Sequence, residues 1–276
     1  MYQRCAIFIA TTAIVLAFAS GGSHAAEMKY PDWKGAWERI GGGNFDPSKR
    51  FGRGQQPPLT PEYQAIWEAN LKEGEEGGQN YNTQAHCIPG GMPRMMIAYE
   101  PMEVIVTPDA TYIEVSYNNE FRRIFTDGRA WPKDAERTFS GYSIGKWTDE
   151  NGGGRYNLLQ VETRFLKGPR IFDPSGIPLH EDNETVINEK IALDKSDADV
   201  LNDEITTTDH ALTRPWTVTR SYRRLRDFDW VEGACAEDNR YVFIEGQTYL
   251  LGPGDKLMPT KKGEPPPDLR YFRQAQ

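Results

Sequence analysis

Short runs of Val, Ile, Phe, Tyr and Thr, separated by turn residues, recur along most of this chain. In Met102–Arg129, three such runs are divided by Pro108-Asp109 and Asn118-Asn119, and Asp127-Gly128 closes the third. Asn and Asp tolerate the positive φ that tight hairpins demand, and the apolar runs have strand composition. The stretch therefore predicts three consecutive antiparallel strands.

The same pattern continues towards the C-terminus. Further strands are predicted at Tyr142–Thr148, Arg155–Phe165, Thr185–Leu193, Val200–Thr208 and Trp216–Arg224. With one N-terminal strand the count is nine or ten, and no crossover helix separates them, which favours an antiparallel sheet. The predicted fold class is all-β, an antiparallel meander that closes into a barrel with long end loops.

One helix is predicted near the N-terminus. Thr60-Pro61-Glu62 has the order of an N-cap, a first-turn proline and a first-turn acid. Tyr63, Ile66, Trp67 and Leu71 then recur at helical spacing and form one apolar face. We expect this helix to close one end of the barrel or to pack on its outside.

The N-terminus has the pattern of a secretory signal peptide. Arg4 precedes an apolar run from Ala6 to Ala19, and Ser23-His24-Ala25 provides a small-x-small site. The run is short for a bilayer span, although a retained membrane anchor is the alternative. We predict a signal peptide at residues 1–26, a periplasmic or secreted location, no membrane anchor after processing, and one barrel domain over residues 27–276, with a Pro-rich surface tail at Pro259–Asp268.

The charge limits the classes of binding partner, and the cysteine content predicts a disulfide. Arg4 is the only charged residue of the predicted signal peptide, so 31 basic and 40 acidic residues remain, a formal charge of −9. Such a protein has no electrostatic reason to bind nucleic acid or anionic lipid. Cys87 and Cys235 remain after processing and predict one disulfide in an oxidising compartment, with two unpaired thiols as the alternative.

Two segments predict either core or pocket. Trp33-Lys34-Gly35-Ala36-Trp37 resembles the Gly-x-Trp start of lipocalin-like barrels, and its two rings are equally well explained as core residues. The Pro- and Gly-rich segment His86–Met96 cannot form a regular element. Its Met95 and Met96 could fill gaps in the core or line an adaptable apolar pocket.

Several motifs resemble a family of secreted proteobacterial β-rich, calycin/lipocalin-like proteins, most of them uncharacterised. The resemblance rests on residues 57–63, 87–96, 122–129, 141–147 and 213–219 and covers nearly the whole mature chain. It implies a secreted β-barrel and no particular chemistry. Relatives commonly have Gly-His-Ser where this chain has Gly141-Tyr142-Ser143, so a mechanism that depends on that histidine would not carry over.

No motif for a metal, nucleotide or nucleophilic serine is present. His86, His180 and His210 have no metal-ligand spacing, and there is neither a Gly-x-Ser-x-Gly elbow nor a phosphate-binding glycine loop. We therefore expect no metal and no cofactor. What remains is acid–base chemistry, which needs a base, a proton donor and a cation or donor for developing negative charge.

The lead hypothesis is a cofactor-independent lyase or isomerase that acts on a small aromatic or apolar hydroxylated molecule in a barrel pocket. The predicted catalytic residues are His180 as base, Tyr142 as proton donor, Arg123 as anion partner and Glu189 as orienting carboxylate. The predicted binding residues are Trp216, Arg214, Arg129, Met95, Met96, Tyr112 and Glu162. Each charged residue has an alternative interpretation as part of a solvated outer face.

Two other classes of function stay open. A non-catalytic periplasmic carrier would bind the same kind of molecule without needing His180, Tyr142 and an arginine to converge. A structural or interaction protein would have a barrel interior filled by side chains. The sequence also leaves homo-oligomerisation open.

Overall fold

The computed structural model describes residues 29–76 and 82–230, positions 233 and 235, and the segments 241–244, 247–252 and 256–257. The predicted signal peptide, residues 1–26, and the predicted tail Pro259–Asp268 lie outside the described residues.

The predicted all-β barrel is confirmed, because nine strands form one closed barrel in chain order. The strands are β1 Gly35–Ile40, β2 Met102–Val106, β3 Ala110–Val115, β4 Glu120–Phe125, β5 Tyr142–Thr148, β6 Leu158–Arg164, β7 Val186–Leu193, β8 Val200–Thr208 and β9 Trp216–Leu225. Short 3-10 turns occur at Gly52–Gln55, Thr83–His86, Arg94–Ile97 and Tyr117–Asn119. A separate antiparallel sheet contains β10 Tyr241–Ile244, β11 Gln247–Gly252 and β12 Lys256–Leu257.

One pairing in the barrel is parallel, and here the expectation of a purely antiparallel sheet is wrong. β4 and β5 pair in parallel through Ile124↔Ser143 and Phe125↔Ile144. A ring with an odd number of strands cannot alternate direction all the way round, so a nine-stranded barrel needs at least one parallel pair. Residues 126–141 supply it by carrying the chain from one end of the barrel to the other.

The two ends of the barrel are built differently. At one end, which we call the turn end, the connections are the short segments 107–109, 149–157 and 194–199. At the opposite end, which we call the loop end, the connections are 41–101, 116–119, 165–185 and 209–215. Because long loops on a rigid scaffold are where proteins usually place functional groups, the loop end is where a site is expected.

The predicted helix is present as α1, Pro61–Glu75, and it packs at the loop end. The Thr60 side chain accepts a hydrogen bond from the Tyr63 amide, as the predicted N-cap should. The indole nitrogen of Trp67 donates to the Ser175 carbonyl at 3.1 Å, and the Asn70 side-chain amide donates to the Gly176 carbonyl at 2.9 Å. These bonds fix α1 against the 165–185 loop.

Aromatic and sulfur-containing side chains fill much of the barrel. Trp33 and Trp37 are buried core residues, and Trp33 packs on Trp147 with ring centroids 4.7 Å apart near the turn end. Met95 and Met96 are also buried and pack in the same core. The core interpretation of both segments therefore holds.

The predicted disulfide is confirmed. Cys87 and Cys235 are joined with an S–S distance of 2.07 Å, across a sequence separation of 148 residues. Such a bond fits an oxidising compartment. In the described part of the chain, no helix has both the length and the apolar character needed to cross a membrane.

Candidate functional site

The barrel interior holds a layer of charged side chains that are paired with one another. Two nitrogens of Arg122 bind the two carboxylate oxygens of Glu189, one of them at 2.7 Å, and Arg122 also donates to the Ser143 and Thr163 hydroxyls. Arg122 and Glu189 are both almost fully buried. We call this set, with the neighbouring Asp203, the interior layer.

Asp203 is the unusual member of the interior layer. It is fully buried, and no N–H or O–H donor of the described residues bonds to either of its carboxyl oxygens. Burial raises the pKa of Asp203 well above its ordinary value, and the negative charge of Glu189 raises it further. Burial and the neighbouring charge therefore favour the protonated form of Asp203, whose proton can be donated to Glu189.

The interior layer is closed off from the loop end. Arg220 donates to the Asn44 and Phe45 carbonyls at 2.8 Å each, and the Tyr222 hydroxyl donates to the Met96 carbonyl at 2.5 Å. Backbone from the 41–101 connection thus enters the barrel and covers the layer. Among the described residues, Arg122, Glu189 and Arg220 have structural partners and almost no exposed surface through which a substrate could reach them.

An accessible cleft lies at the loop end, between α1 and the 165–185 loop. Its volume is about 440 Å³, which lies in the range of small-molecule sites. Its lining includes Tyr63, Ile66, Arg170, Leu179, His180 and Asn183. We call it the His180 cleft.

Arg170 gives the His180 cleft a buried positive charge. The side chain is 4 % exposed and makes hydrogen bonds to the Met92 carbonyl and the Thr185 hydroxyl, at 3.2 and 2.6 Å. Its Nε has no hydrogen-bond partner among the described residues. Burial lowers the pKa of Arg170 to about 10, so the guanidinium stays charged at neutral pH.

A polar relay connects Arg170 to the backbone of His180. The Thr185 hydroxyl donates to one carboxylate oxygen of Asp209 at 2.5 Å. The other oxygen of Asp209 accepts the His180 and Ala211 amides at 2.9 Å each. The relay fixes the position of the loop that carries His180 relative to Arg170.

Tyr63 and His180 form the polar part of the cleft wall. Their rings lie 5.2 Å apart between centroids. Burial raises the pKa of Tyr63, against the effect of a backbone hydrogen bond from Glu181, so its hydroxyl keeps its proton at neutral pH. The Nδ1 atom of His180 lies 3.1 Å from both the amide nitrogen and a carboxylate oxygen of Asp182, so Asp182 holds the ring by this nitrogen.

A second histidine stands beside His180, and Asp182 holds it by Nδ1 as well. His210 Nδ1 lies 2.6 Å from an Asp182 carboxylate oxygen, and the His180 and His210 rings are perpendicular at 5.5 Å. The Asp182 hydrogen bond and negative charge raise the pKa of His210. When Nδ1 donates to the carboxylate, Nε2 is left with a free lone pair, as in a histidine general base.

The same three side chains could hold a divalent metal ion. One ligand atom each from His180, Asp182 and His210 lies within 4.8 Å of the other two. Two imidazoles and one carboxylate are a common donor set for zinc and for non-haem iron. In this structure, two of the candidate ligand groups, the Asp182 carboxylate and His210 Nδ1, are hydrogen-bonded to each other.

The four predicted catalytic residues do not converge. His180 lines the His180 cleft, and Glu189 is sealed in the interior layer. Arg123 and Tyr142 line a different cavity of about 460 Å³, on the outer face of β4 and β5. The residue that pairs with Glu189 is Arg122, because alternation along β4 turns Arg123 to the outside.

The predicted binding residues fall into two groups. Trp216, Met95 and Met96 are buried in the core, where Trp216 packs on Phe45 and Phe172. Arg214, Arg129, Tyr112 and Glu162 lie on the outside. Glu162 lies on the solvated outer face of β6, as the alternative interpretation predicted, and pairs there with Arg164.

Sequence patterns alone do not single out several residues in and beside the His180 cleft as site residues. By pattern, Tyr63 belongs to an apolar helix face, His210 to a turn, and Arg170 to a Pro-rich loop. Each joins the site through contacts between segments far apart in the chain. The one local signal is the spacing of His180 and Asp182, which places a carboxylate two residues after a histidine.

Comparison with known proteins adds no relative to this description. No protein-family model matches the chain, and no curated protein matches it.

Proposed function

We propose that this protein is a periplasmic lyase or isomerase that uses its own side chains for acid–base chemistry in the His180 cleft. The observation that carries the proposal is that a buried charged arginine, a protonated tyrosine and His180 line one open cavity, with His210 beside it. We also propose that the protein belongs to the secreted β-rich family that its motifs resemble and that it is located in the periplasm.

Arg170 is proposed to bind negative charge on the substrate. Its unpaired Nε is buried, and a charged donor in a low-dielectric site interacts strongly with an anion. The group it meets would be a carboxylate, or an enolate oxygen that develops as a proton leaves carbon.

His210 is proposed as the general base, in place of His180. The Asp182 carboxylate lies closer to Nδ1 of His210 than to Nδ1 of His180, at 2.6 against 3.1 Å, and Nε2 of His210 is left free. His180 Nε2–H and the Tyr63 hydroxyl then act as donors to the substrate. Removing a proton at one site and supplying one at another is the sequence that an isomerase or lyase needs.

The cleft wall suggests a substrate with an apolar body. Ile66 and Leu179 provide aliphatic surface, and Tyr63 provides an aromatic ring. A cavity of about 440 Å³ suits one ring or a short chain with one or two hydroxyl groups.

Deuterium exchange tests the proposal and does not require the product to be identified. The mature protein is incubated in deuterated buffer with a panel of hydroxylated aromatic and short aliphatic carboxylates, and carbon-bound deuterium is followed by NMR. We expect one class of compound to exchange, and His210→Gln to slow that exchange by about 10²–10⁴-fold, the usual contribution of a general base.

The matched control is Glu204→Gln, which neutralises an exposed carboxylate on the outer face of β8. Its exchange rate should equal that of the unmodified protein. Exchange that survives both His210→Gln and Tyr63→Phe, in variants with unchanged melting temperature, would refute the acid–base assignment.

A carrier is the second candidate, and the engaged Nδ1 atom of His180 favours it. A binding protein needs only fixed donors, which Arg170, Tyr63 and His180 provide. Saturable binding of a panel compound that is weakened by Arg170→Met, with no deuterium exchange at any pH, would support the carrier.

A further inference from the structure

The cavity on the outer face of β4 and β5, which we call the outer cleft, has its own set of recognition groups. It has a volume of about 460 Å³ and lies between the two strands and the 126–141 connection. Its lining includes Phe121, Arg123, Phe125, Phe139 and Tyr142. None of these residues lines the His180 cleft.

Aromatic rings dominate the walls of the outer cleft. Phe125 and Tyr142 face each other across the parallel seam between β4 and β5, with ring centroids 5.0 Å apart. Tyr112 and Phe121 lie 5.7 Å apart on the neighbouring strands, and Phe121 is 49 % exposed. Exposed rings that line a cavity present flat apolar surface to a planar ligand.

Three arginines lie on or beside these rings, and two of them, Arg129 over Phe125 and Arg164 over the neighbouring Trp131, already have acidic partners. Arg129 binds Asp127 through two nitrogens, and Arg164 pairs with Glu162. The hydrogen bond from Arg129 holds the pKa of Asp127 below its ordinary value, so that pair stays ionised over the neutral range.

Arg123 is the uncompensated one. Its guanidinium lies over the Tyr112 ring at 5.1 Å and over the Phe125 ring at 5.7 Å. Within the described part of the chain it has no hydrogen bond and no acidic partner. Stacking between two rings orients the planar fork and leaves its N–H groups free for a carboxylate.

Tyr142 adds a second donor. The Arg129 guanidinium donates to the Tyr142 hydroxyl oxygen at 3.3 Å, so the hydroxyl accepts from the protein and keeps its own proton to donate. A ligand in the outer cleft therefore meets a charged fork on β4 and a hydroxyl on β5.

We propose that the outer cleft is a binding site for a planar aromatic carboxylate, held by Arg123 and Tyr142 and stacked against Phe125. This site is separate from the chemistry proposed at the His180 cleft. The carboxylate neutralises the one arginine of this cleft that lacks an acidic partner among the described residues, and the ring covers the exposed aromatic wall.

Calorimetric titration of the mature protein with 2-naphthoate tests the site. We expect one saturable site, and binding at least tenfold weaker in Arg123→Gln, because a charge-assisted bidentate contact is lost. Arg223→Gln removes an exposed arginine on the outer face of β9 and should leave the affinity unchanged. The neutral analogue 2-naphthylmethanol should bind at least tenfold more weakly than 2-naphthoate.

Three results would overturn the proposal. They are no saturable binding, equal affinity in Arg123→Gln and the unmodified protein, and equal affinity for the naphthoate and the alcohol. Arg170→Met separates this site from the His180 cleft, since it should weaken carboxylate binding there and leave naphthoate binding unchanged. Loss of naphthoate binding in that variant would show that the ligand binds in the His180 cleft.

Discussion

The interior layer and the His180 cleft contain similar side chains in opposite situations. Each has a buried arginine, a carboxylate and, nearby, a tyrosine. In the interior layer Arg122 is fully engaged by Glu189 and two hydroxyls, and backbone closes the entrance. In the His180 cleft Arg170 is part of the lining of an open cavity. A set of acid–base residues is therefore a candidate site only where it lines a cavity that a ligand can reach.

The largest effect is expected on breaking the interior pair. Arg122→Met leaves Glu189 buried without its cation, which typically costs about 3–5 kcal/mol of unfolding free energy. Chemical denaturation would measure it. Arg164→Met removes an Arg–Glu pair on the outer face and should cost about 0–1 kcal/mol. Equal costs for the two variants would show that the interior layer is not sealed from water.

The pH dependence of stability should reveal the protonated Asp203. Its folded-state pKa is raised above the ordinary value of 3.8, so its stabilising contribution is complete below that value and is lost as pH rises through the folded pKa. Asp203→Asn lacks this loss. We expect the unfolding free energy of Asp203→Asn, relative to that of the unmodified protein, to be higher at pH 8 than at pH 4. A difference that is constant with pH would contradict the assignment.

A smaller effect is expected from cutting the relay in the His180 cleft. Thr185→Val keeps the shape of the side chain but leaves Asp209 and Arg170 each without one hydrogen-bond partner, which costs about 1–3 kcal/mol. Thr206→Val is the matched control, because Thr206 bonds to Thr217 on the exposed outer face. If the control loses as much stability as Thr185→Val, the relay has no special role.

Local sequence signals predict the strands and the helix well. The ranges Tyr142–Thr148 and Val200–Thr208 coincide with β5 and β8, and Thr60 caps α1 as expected. Alternation also places Trp216, Val218, Arg220 and Tyr222 on one face, which is the buried one. These features depend on a few neighbouring residues, so a sequence contains them directly.

The parallel seam and most of the candidate site depend on contacts that no local pattern encodes. Whether residues 126–141 turn back or run the length of the barrel is set by how the ring closes. The sequence points to His180 as a residue of a loop-end site, and it does line a cavity there, but its role depends on an amide two residues away. Tyr63 and Arg170 meet it only because α1 packs on the 165–185 loop.

Because the number of strands is odd, the barrel contains one parallel and weakly paired junction between neighbouring strands. The β4–β5 seam is registered by two residue pairs, whereas β1–β2, the next shortest, has three. Local opening should begin where the fewest ladder bonds must break, so the amides of Ile124 and Ser143 should exchange with solvent before those of β7 or β8. Arg123 and Tyr142 stand on opposite edges of this seam. A molecule bound by both residues would link the two strands, so the barrel would open more slowly with the molecule bound than without it.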